Sequence, residues 1–210
     1  MKNNLFKACF VILVSVLMLA GGVGLVYKPN AQQKASASTI GSGTAKDPYL
    51  IHTLAEFNSA VPLMASPGTL TNPRHFKIEN SIDMKNLVDI PRTLADYVII
   101  DGGGHTLQNL EISLFTNVAG QDSVIKNLYF RGGDQGTGNI AREFTGTMEN
   151  VHSLAGPQPR MSINTVGGLV NFSTNATFRY CSNAAPVWLS TNGTNGGIIG
   201  EARGKLAISG

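Results

Sequence analysis

The stretch VIIDGGGHTLQNLEI, residues 98–112, sets three glycines between a β-branched run and an alternating segment that ends in Leu110 and Ile112. A dinucleotide-binding loop could be written this way, but it needs a strand, Gly-x-Gly-x-x-Gly, and then a helix whose N-terminus meets the pyrophosphate. Here the residues after Gly104 keep a period of two and position 107 is leucine, so strand continues where the helix should begin. The triplet reads as a corner, where glycine supplies the positive φ that a sharp change of direction requires.

Working outward, the same local phrase recurs. Apolar-x-Asn-apolar appears as Leu107-Gln108-Asn109-Leu110, Ile125-Lys126-Asn127-Leu128 and Met148-Glu149-Asn150-Val151, with Phe178-Arg179-Tyr180-Cys181 as a degenerate fourth copy. The Asn, or the Tyr in its place, recurs at intervals of 18, 23 and 30 residues. A second phrase precedes the later copies: Ser113-Leu114-Phe115-Thr116, Gly138-Asn139-Ile140-Ala141, Gly168-Leu169-Val170-Asn171 and Gly197-Ile198-Ile199-Gly200. Each is followed at a similar distance by an apolar strand residue, Ile125, Met148, Phe178 or Leu206. Residues 98–210 also hold 18 of the 24 glycines, so corners are concentrated where the repeats are. A unit of this size cannot cover its own apolar face; stacked units can. The expectation is a solenoid with coils about 4.8 Å apart, in which Asn at equivalent corners stacks into a ladder that satisfies buried backbone groups.

Upstream, residues 38–97 read as an N-terminal cap and first coils. Asp47-Pro48-Tyr49-Leu50-Ile51 reads as a first strand, and Thr53-Leu54-Ala55-Glu56 as a capping box in which Thr53 and Glu56 satisfy each other's backbone N–H groups. Leu54, Phe57 and Val61 form one apolar stripe, which predicts a short helix over 54–61 ended or kinked by Pro62. HFKIENSIDM, residues 75–84, reads as strand, corner and strand.

These residues resemble the bacterial surface proteins that carry GLUG repeats, named for a Gly-Leu-apolar-Gly core. Gly197-Ile198-Ile199-Gly200 matches with Ile for Leu, and Gly168-Leu169-Val170-Asn171 lacks the last glycine. The lead-in Gly41-Ser42-Gly43-Thr44 with Asp47-Pro48-Tyr49-Leu50-Ile51 is similar to the entry of such solenoids, as is the segment from Ile99 to Leu107. The resemblance implies an all-β, right-handed parallel β-helix on a bacterial cell surface, with GLUG-like coils over 98–210. It implies no particular ligand, since such repeats occur in adhesin-like proteins and as non-catalytic parts of larger exported enzymes, including some metallopeptidases.

Residues 1–37 read as targeting sequence and spacer. Lys2 and Lys7 precede an apolar run over residues 8–27, which serves either as a cleaved export signal, with Ala35-Ser36-Ala37 as a small-x-small site, or as a retained transmembrane anchor. Glycine stands where a lipoprotein signal needs cysteine. The formal charge of +3 belongs to this region: four of the 16 Lys and Arg precede residue 38, leaving 12 against 13 acids. The rest has no basic stripe for a nucleic-acid backbone. Of the two cysteines, Cys9 lies in the apolar run and Cys181 in the exported part, so packing rather than a disulfide must hold the fold. Sequons at Asn171, Asn175 and Asn192 matter only in a eukaryotic host.

Residue types able to do chemistry are present, but not in catalytic arrangements. The Gly-rich run over 132–138 lacks the Lys-Ser/Thr of a P-loop, and Asp134 within it reads as part of an exposed loop. His52, His75, His105 and His152 are scattered, with no His-Glu-x-x-His, and there is no Gly-x-Ser-x-Gly elbow. Cys181 fills the slot of a repeat's apolar residue. Asp83, Asp89, Asp96 and Asp101 are the acids that a polysaccharide lyase or hydrolase site would have to bring together, yet no equivalents recur in later coils. Trp188 with Tyr180 reads as packing rather than as a sugar platform.

The sequence therefore assigns no catalytic, cofactor-binding or metal-binding residue. It predicts an exported, extracellular or cell-surface adhesin-like or presenting module without catalysis. Its partners would be host or cell-wall glycans or surface proteins, and the membrane itself through residues 8–27 if these are uncleaved. The alternative is the non-catalytic, substrate-binding β-helix part of a carbohydrate-active enzyme or surface peptidase. Ile208-Ser209-Gly210 falls in mid-repeat, which predicts a further segment downstream.

Overall fold

The alternating segments become strands that stack in parallel, as a computed structural model describes for residues 40–134, 139–156, 165–187 and 194–210. In chain order the elements begin with β1 (Tyr49–Ile51), α1 (Leu54–Met64), β2 (Arg74–Ile78), β3 (Ile82–Asp83), β4 (Thr93–Leu94), β5 (Val98–Asp101) and β6 (Thr106–Gln108). They continue with β7 (Phe115–Val118), β8 (Val124–Phe130), β9 (Ala141–Ser153), β10 (Val166–Gly167), β11 (Val170–Arg179), β12 (Ser182–Asn183), β13 (Asn195–Gly196) and β14 (Ile199–Ser209). Strands β1-β2-β5-β8-β9-β11-β14 run side by side, β3, β4, β6, β7 and β12 pair onto the same sheet, and β10 pairs with β13. This is a parallel β-solenoid of about five turns with one short helix.

Each coil has three faces. On the first, in-register pairing aligns Tyr49, Phe76, Ile100, Ile125, Met148, Phe178 and Ile208. All from Phe76 to Phe178 are buried. On the second face Ile82, Leu107, Phe130, Ser153 and Asn183 align, and on the third Leu94, Val118, Phe144, Ser173 and Ala202. Each large apolar side chain covered by its neighbours contributes about 1.5–3 kcal/mol, so the interior rows are the main source of stability.

Corners between faces need αL backbone, and here side chains other than glycine supply much of it. Asn127, Asn150 and Tyr180 have φ of 52°, 53° and 52° at the corner between the first and second faces. Asn tolerates this region because its short amide can bond locally. The glycine triplet occupies the same corner one coil earlier. Asp101 pairs with Lys126 and Thr106 with Tyr129, so residues 102–105 span what residues 127–128 span in the next coil. Gly103 and Gly104 have φ of 60° and 77°, and a Cβ on Gly102 would fall against the Asn127 carbonyl and 2.7 Å from Leu128 Cβ. The triplet is a corner, with two residues inserted.

Several expectations shift in register. Asn109 also has positive φ, at 55°, but it stands at the next corner, after the second face, and not in line with Asn127 and Asn150. Ile208, not Leu206, is aligned with Phe178; Leu206 pairs with Ala176, because a bulge separates Thr174 from Ala176. In the second phrase Phe115, Ala141, Val170 and Ile199 are aligned, and Leu114 N–H donates to the Asn139 carbonyl, so Ser113 matches Asn139. Gly138 lies outside the described residues, as does the apolar run over 8–27. Among the described residues no helix is long and apolar enough to cross a membrane.

The helix forms as its capping box predicts: Glu56 N–H donates to Thr53 Oγ1 at 3.2 Å, and Glu56 Oε2 accepts from Thr53 N–H at 3.1 Å and His52 N–H at 2.6 Å. It runs to Met64, three residues past the expected end, with Pro62 inside. Burial of Phe57, Ala60 and Met64 against the core holds that last turn despite the missing proline N–H. The helix packs on β1 and β4, which places it over the first coil as a cap.

Candidate functional site

The four aspartates of residues 83–101 go to separate places. Asp83 Oδ1 accepts from Asn109 Nδ2 at 2.8 Å and from Lys85 N–H at 3.0 Å, at the end of the second face. Asp96 Oδ1 accepts from Tyr97 N–H at 3.1 Å and Asp122 N–H at 2.9 Å, in the turn from third face to first. Asp101 Oδ1 accepts from Gly103 N–H at 3.0 Å and Asn127 Nδ2 at 3.1 Å, at the corner between first and second faces, while Oδ2 lies 3.3 Å from Lys126 Nζ. The donated Asn109 bond, then that of Lys85, holds the Asp83 carboxyl below its usual range. For Asp101 burial pushes upward, but the Gly103, Asn127 and Lys126 interactions outweigh it and the net direction is down. Asp89 remains in the loop before β4, where its charge acts on Arg92. Asp83, Asp96 and Asp101 thus work as corner caps, each at a different corner.

The expected asparagine ladder exists over part of its length. Asn150 Nδ2 donates to Asn127 Oδ1 at 3.0 Å, and Asn127 in turn to Asp101. These half-buried amides bond to one another's side chains rather than to buried backbone groups. A second polar ladder lies inside: Ser113 Oγ donates to Asn139 Oδ1 and Asn139 Nδ2 to Asn171 Oδ1, both at 2.7 Å. Asn171 is fully buried, so its sequon is closed to modification in the folded chain; Asn175 is exposed, and Asn192 lies outside the described residues.

The outward side of the first face carries a row of alternating sign. Lys77, Asp101, Lys126, Glu149 and Arg179 are successive register partners, and Arg179 Nη1 lies 3.8 Å from Glu149 Oε2. Opposite charges directly across strands favour this register, by about 0.2–1 kcal/mol a pair. Beside the row, burial and the Lys126 charge push the His75 imidazole below its ordinary value.

The second face carries the most varied outward row. Thr106, Tyr129, His152 and Ser182 are aligned in consecutive coils. The Tyr129 and His152 rings stack with centroids 5.1 Å apart at 27°, and His152 reaches Asn150 Oδ1 through Nε2 and Ser182 Oγ through Nδ1, both at 2.8 Å. Two residues further along the same strands, Gln108, Arg131 and Leu154 line a surface pocket of about 690 Å³ together with Thr106, Asn109 and Asp134. Pockets beside Tyr49 and Arg74, of about 220 Å³, and beside His75 and Lys126, of about 250 Å³, are much smaller. This row and its pocket form the candidate site. Planar amide, guanidinium and carboxylate groups beside an aromatic ring can pair with hydroxyl groups and stack against an apolar ring face.

The remaining sequence candidates do not join it. His52 pairs with Glu56 at 3.2 Å beside the helix. Cys181 is half-buried in line with Val151, where burial pushes its thiol up, opposite to what a nucleophile needs. Tyr180 is 63% exposed, and Trp188 lies outside the described residues. Among the described residues no group of three His, Cys, Asp or Glu could hold a metal ion.

No protein-family model and no curated protein matches the sequence, so the GLUG resemblance rests on the residues alone. A solved structure from Bacteroides ovatus, described as a "putative immunoglobulin A1 protease", aligns with a TM-score of 0.49 and 18% identity over 80% of this chain and 67% of that one.

Sequence reasoning missed Arg92 and the outward rows. Arg92 is 2% exposed, and its guanidinium donates to the carbonyls of Leu114 at 2.6 Å, Ser113 at 2.9 Å and Val88 at 2.5 Å, tying the loop before β4 to the next coil. No motif announces such a role. The Tyr129 row could be found only once register was known, because its members lie 23 and 30 residues apart.

Proposed function

We propose that the chain is an exported cell-surface module that binds or presents rather than catalyses. The observation that carries this reading is the division of labour among side chains. Asp83, Asp96 and Asp101, which a lyase or hydrolase would have to bring together, are engaged as caps at three separate corners. Polar groups at the end of the second face, Thr106, Gln108, Asn109 and Arg131 among them, by contrast line an open groove. That groove equally suits the substrate-holding part of a larger carbohydrate-active enzyme or surface peptidase, the second reading. The export signal or anchor over residues 8–27 would place either at the cell surface.

The test is expression of the full chain with surface labelling, followed by attachment of the cells to immobilised glycans and surface proteins. Labelling at the surface with attachment, and no turnover of the attached material, supports the reading. Retention inside the cell, or cleavage of a glycan or peptide by the purified chain, overturns it.

A further inference from the structure

We infer that the pocket between the entry turn, residues 42–44, and the loop over residues 67–74 is a binding site for a small monocarboxylate, gripped by the Arg74 guanidinium. The inference goes beyond the surface-module reading and uses none of the residues of the second-face groove.

Both walls of this pocket are fixed by the fold itself. In the entry turn the Asp47 carbonyl accepts from Ser42 N–H and Thr44 N–H, both at 3.1 Å, and Asp47 Oδ2 also accepts from Ser42 N–H at 2.8 Å. Gly43, with φ of 77°, lies so close to Tyr49 that a Cβ would fall into the ring. In the opposite loop Thr69 and Asn72 exchange backbone bonds at 3.1 Å, Gly68 N–H donates to the Asp96 carbonyl at 3.0 Å, and Arg74 N–H donates to the Tyr97 carbonyl at 2.9 Å. A bond of 2.9 Å from His75 N–H to the Gly43 carbonyl ties the two walls together. A cavity held in this way asks little further ordering of a ligand.

Arg74 selects the ligand. It is half-buried in the pocket wall, where its Nε donates to the Pro67 carbonyl at 3.3 Å. Among the described residues its two terminal nitrogens meet no acceptor, and no carboxylate pairs with them. Lys77, Lys126, Arg179 and Arg203, by contrast, each face an acid, and Arg92 gives its donors to carbonyls. The other residues lining the pocket are neutral, and Ser42, Thr44, Tyr49, Thr69 and Asn72 bring hydroxyl and amide groups to it. One guanidinium without a second cation matches a single negative charge, and its fork matches two oxygens in one plane. A carboxylate has both properties, whereas a phosphate dianion calls for more positive charge than the lining carries.

Size narrows the choice further. The pocket holds about 220 Å³, which is room for about seven waters at ~30 Å³ each and less than the ~300–1,000 Å³ of sites for drug-sized ligands. The occupant is therefore an acid of a few heavy atoms, either free or as the last residue of a peptide whose chain leaves through the mouth. Pro67 and Pro73 give a short apolar side chain something to touch.

Isothermal titration calorimetry of the full chain tests this, with four titrants: N-acetyl-alanine, N-acetyl-trialanine as the free acid, the same tripeptide as its C-terminal amide, and inorganic phosphate. The expected result is saturable binding of both acids at millimolar concentration, none of the amide, and weaker binding or none of phosphate. Arg74→Gln should weaken binding of the acids about tenfold or more, because hydrogen bonds to a charged group are lost. Arg74→Lys keeps the charge but not the fork and should weaken it several-fold. Arg131→Gln, in the second-face groove, should change nothing, with far-ultraviolet circular dichroism the same in all. Tighter binding of the tripeptide acid than of N-acetyl-alanine identifies a peptide terminus as the source, and equal or weaker binding a free acid; both outcomes support the site. Equal binding of acid and amide, binding undiminished in Arg74→Gln, tighter binding of phosphate, or no saturable heat with either acid overturns the inference and leaves the surface-module reading to its own test. Should Arg74→Gln fail to fold, Arg74→Lys and the comparison of acid with amide still decide.

Discussion

The first coils and the last ones use the same register for different interiors. Near the helix, the rows Phe76-Ile100-Ile125-Met148, Leu107-Phe130 and Leu94-Val118-Phe144 are apolar and fully covered. Further on, the same positions hold Ser153, Ser173 and Ala202, and the first-face row ends in Ile208, 64% exposed. Among the described residues Ser153 Oγ, Ser173 Oγ and Asn171 Nδ2 are buried with no hydrogen-bond partner, all of them in these later coils. Pairing geometry alone therefore does not fix stability. Backbone ladders continue through both regions, while the apolar payload is concentrated in the first.

Substitutions at matched positions sharpen this contrast. Phe144→Ala should cost about 3–5 kcal/mol in urea unfolding, and Ile125→Ala about 2–5 kcal/mol, since each opens a cavity between packed coils. Later members of the same rows, Ser173→Ala and Ile208→Ala, should cost under about 1 kcal/mol; loss of the unpartnered Ser173 hydroxyl should be neutral or stabilising. Equal costs within either pair would break the comparison.

Arg92→Met comes next. It keeps the stem but strips the donors from three carbonyls, and the expected loss is about 2–3 kcal/mol. Hydrogen exchange should show that loss as faster exchange at Thr116 and Asn117, whose N–H groups donate to the Arg92 carbonyl. Unchanged protection there would mean that the loop before β4 is held by something else.

Asn127→Ala should cost about 1–2 kcal/mol, because alanine must take the αL backbone without a bonding amide. Asn127→Gly should recover most of it, and a failure of glycine to rescue would assign the cost to the ladder with Asp101 and Asn150 instead.

The smallest expected effect is with pH. The His75 imidazole and the Asp83 and Asp101 carboxyls have folded pKa values below their unfolded ones, so each contributes stability that is full above the unfolded value and lost as pH falls. The histidine share should fade below about pH 6.5 and the carboxylate share below about pH 4. Thermal melts of His75→Asn should lose the first step and keep the second.

The solenoid was legible in the sequence because its signals are local: period two, glycine corners, and Asn recurring where the backbone must turn left-handed. The corner role of Gly102-Gly103-Gly104 and the capping box at Thr53 and Glu56 followed from chemistry within a few residues. Register was less legible, since a bulge beside Asn175 and an insertion at Gly102–Gly104 displace repeats by one or two positions without changing their composition. The bulge puts Leu206 two positions out of its expected column, while Asn109 has the same left-handed backbone as Asn127 and Asn150 but at the next corner. The candidate site was the least legible part, because Thr106, Tyr129, His152 and Ser182 become neighbours only through stacking.

Stacking register is thus the claim on which both fold and site depend, and cross-linking tests it directly. With Cys9→Ser and Cys181→Ala as background, Thr147→Cys and Thr177→Cys would place thiols on register partners in adjacent coils, about 4.8 Å apart, within the span of a disulfide. Mild oxidation should join this pair in nearly every molecule and leave the pair Thr147→Cys with Arg179→Cys, two positions out of register, largely free. Preferential cross-linking of the second pair, or of neither, would contradict the account.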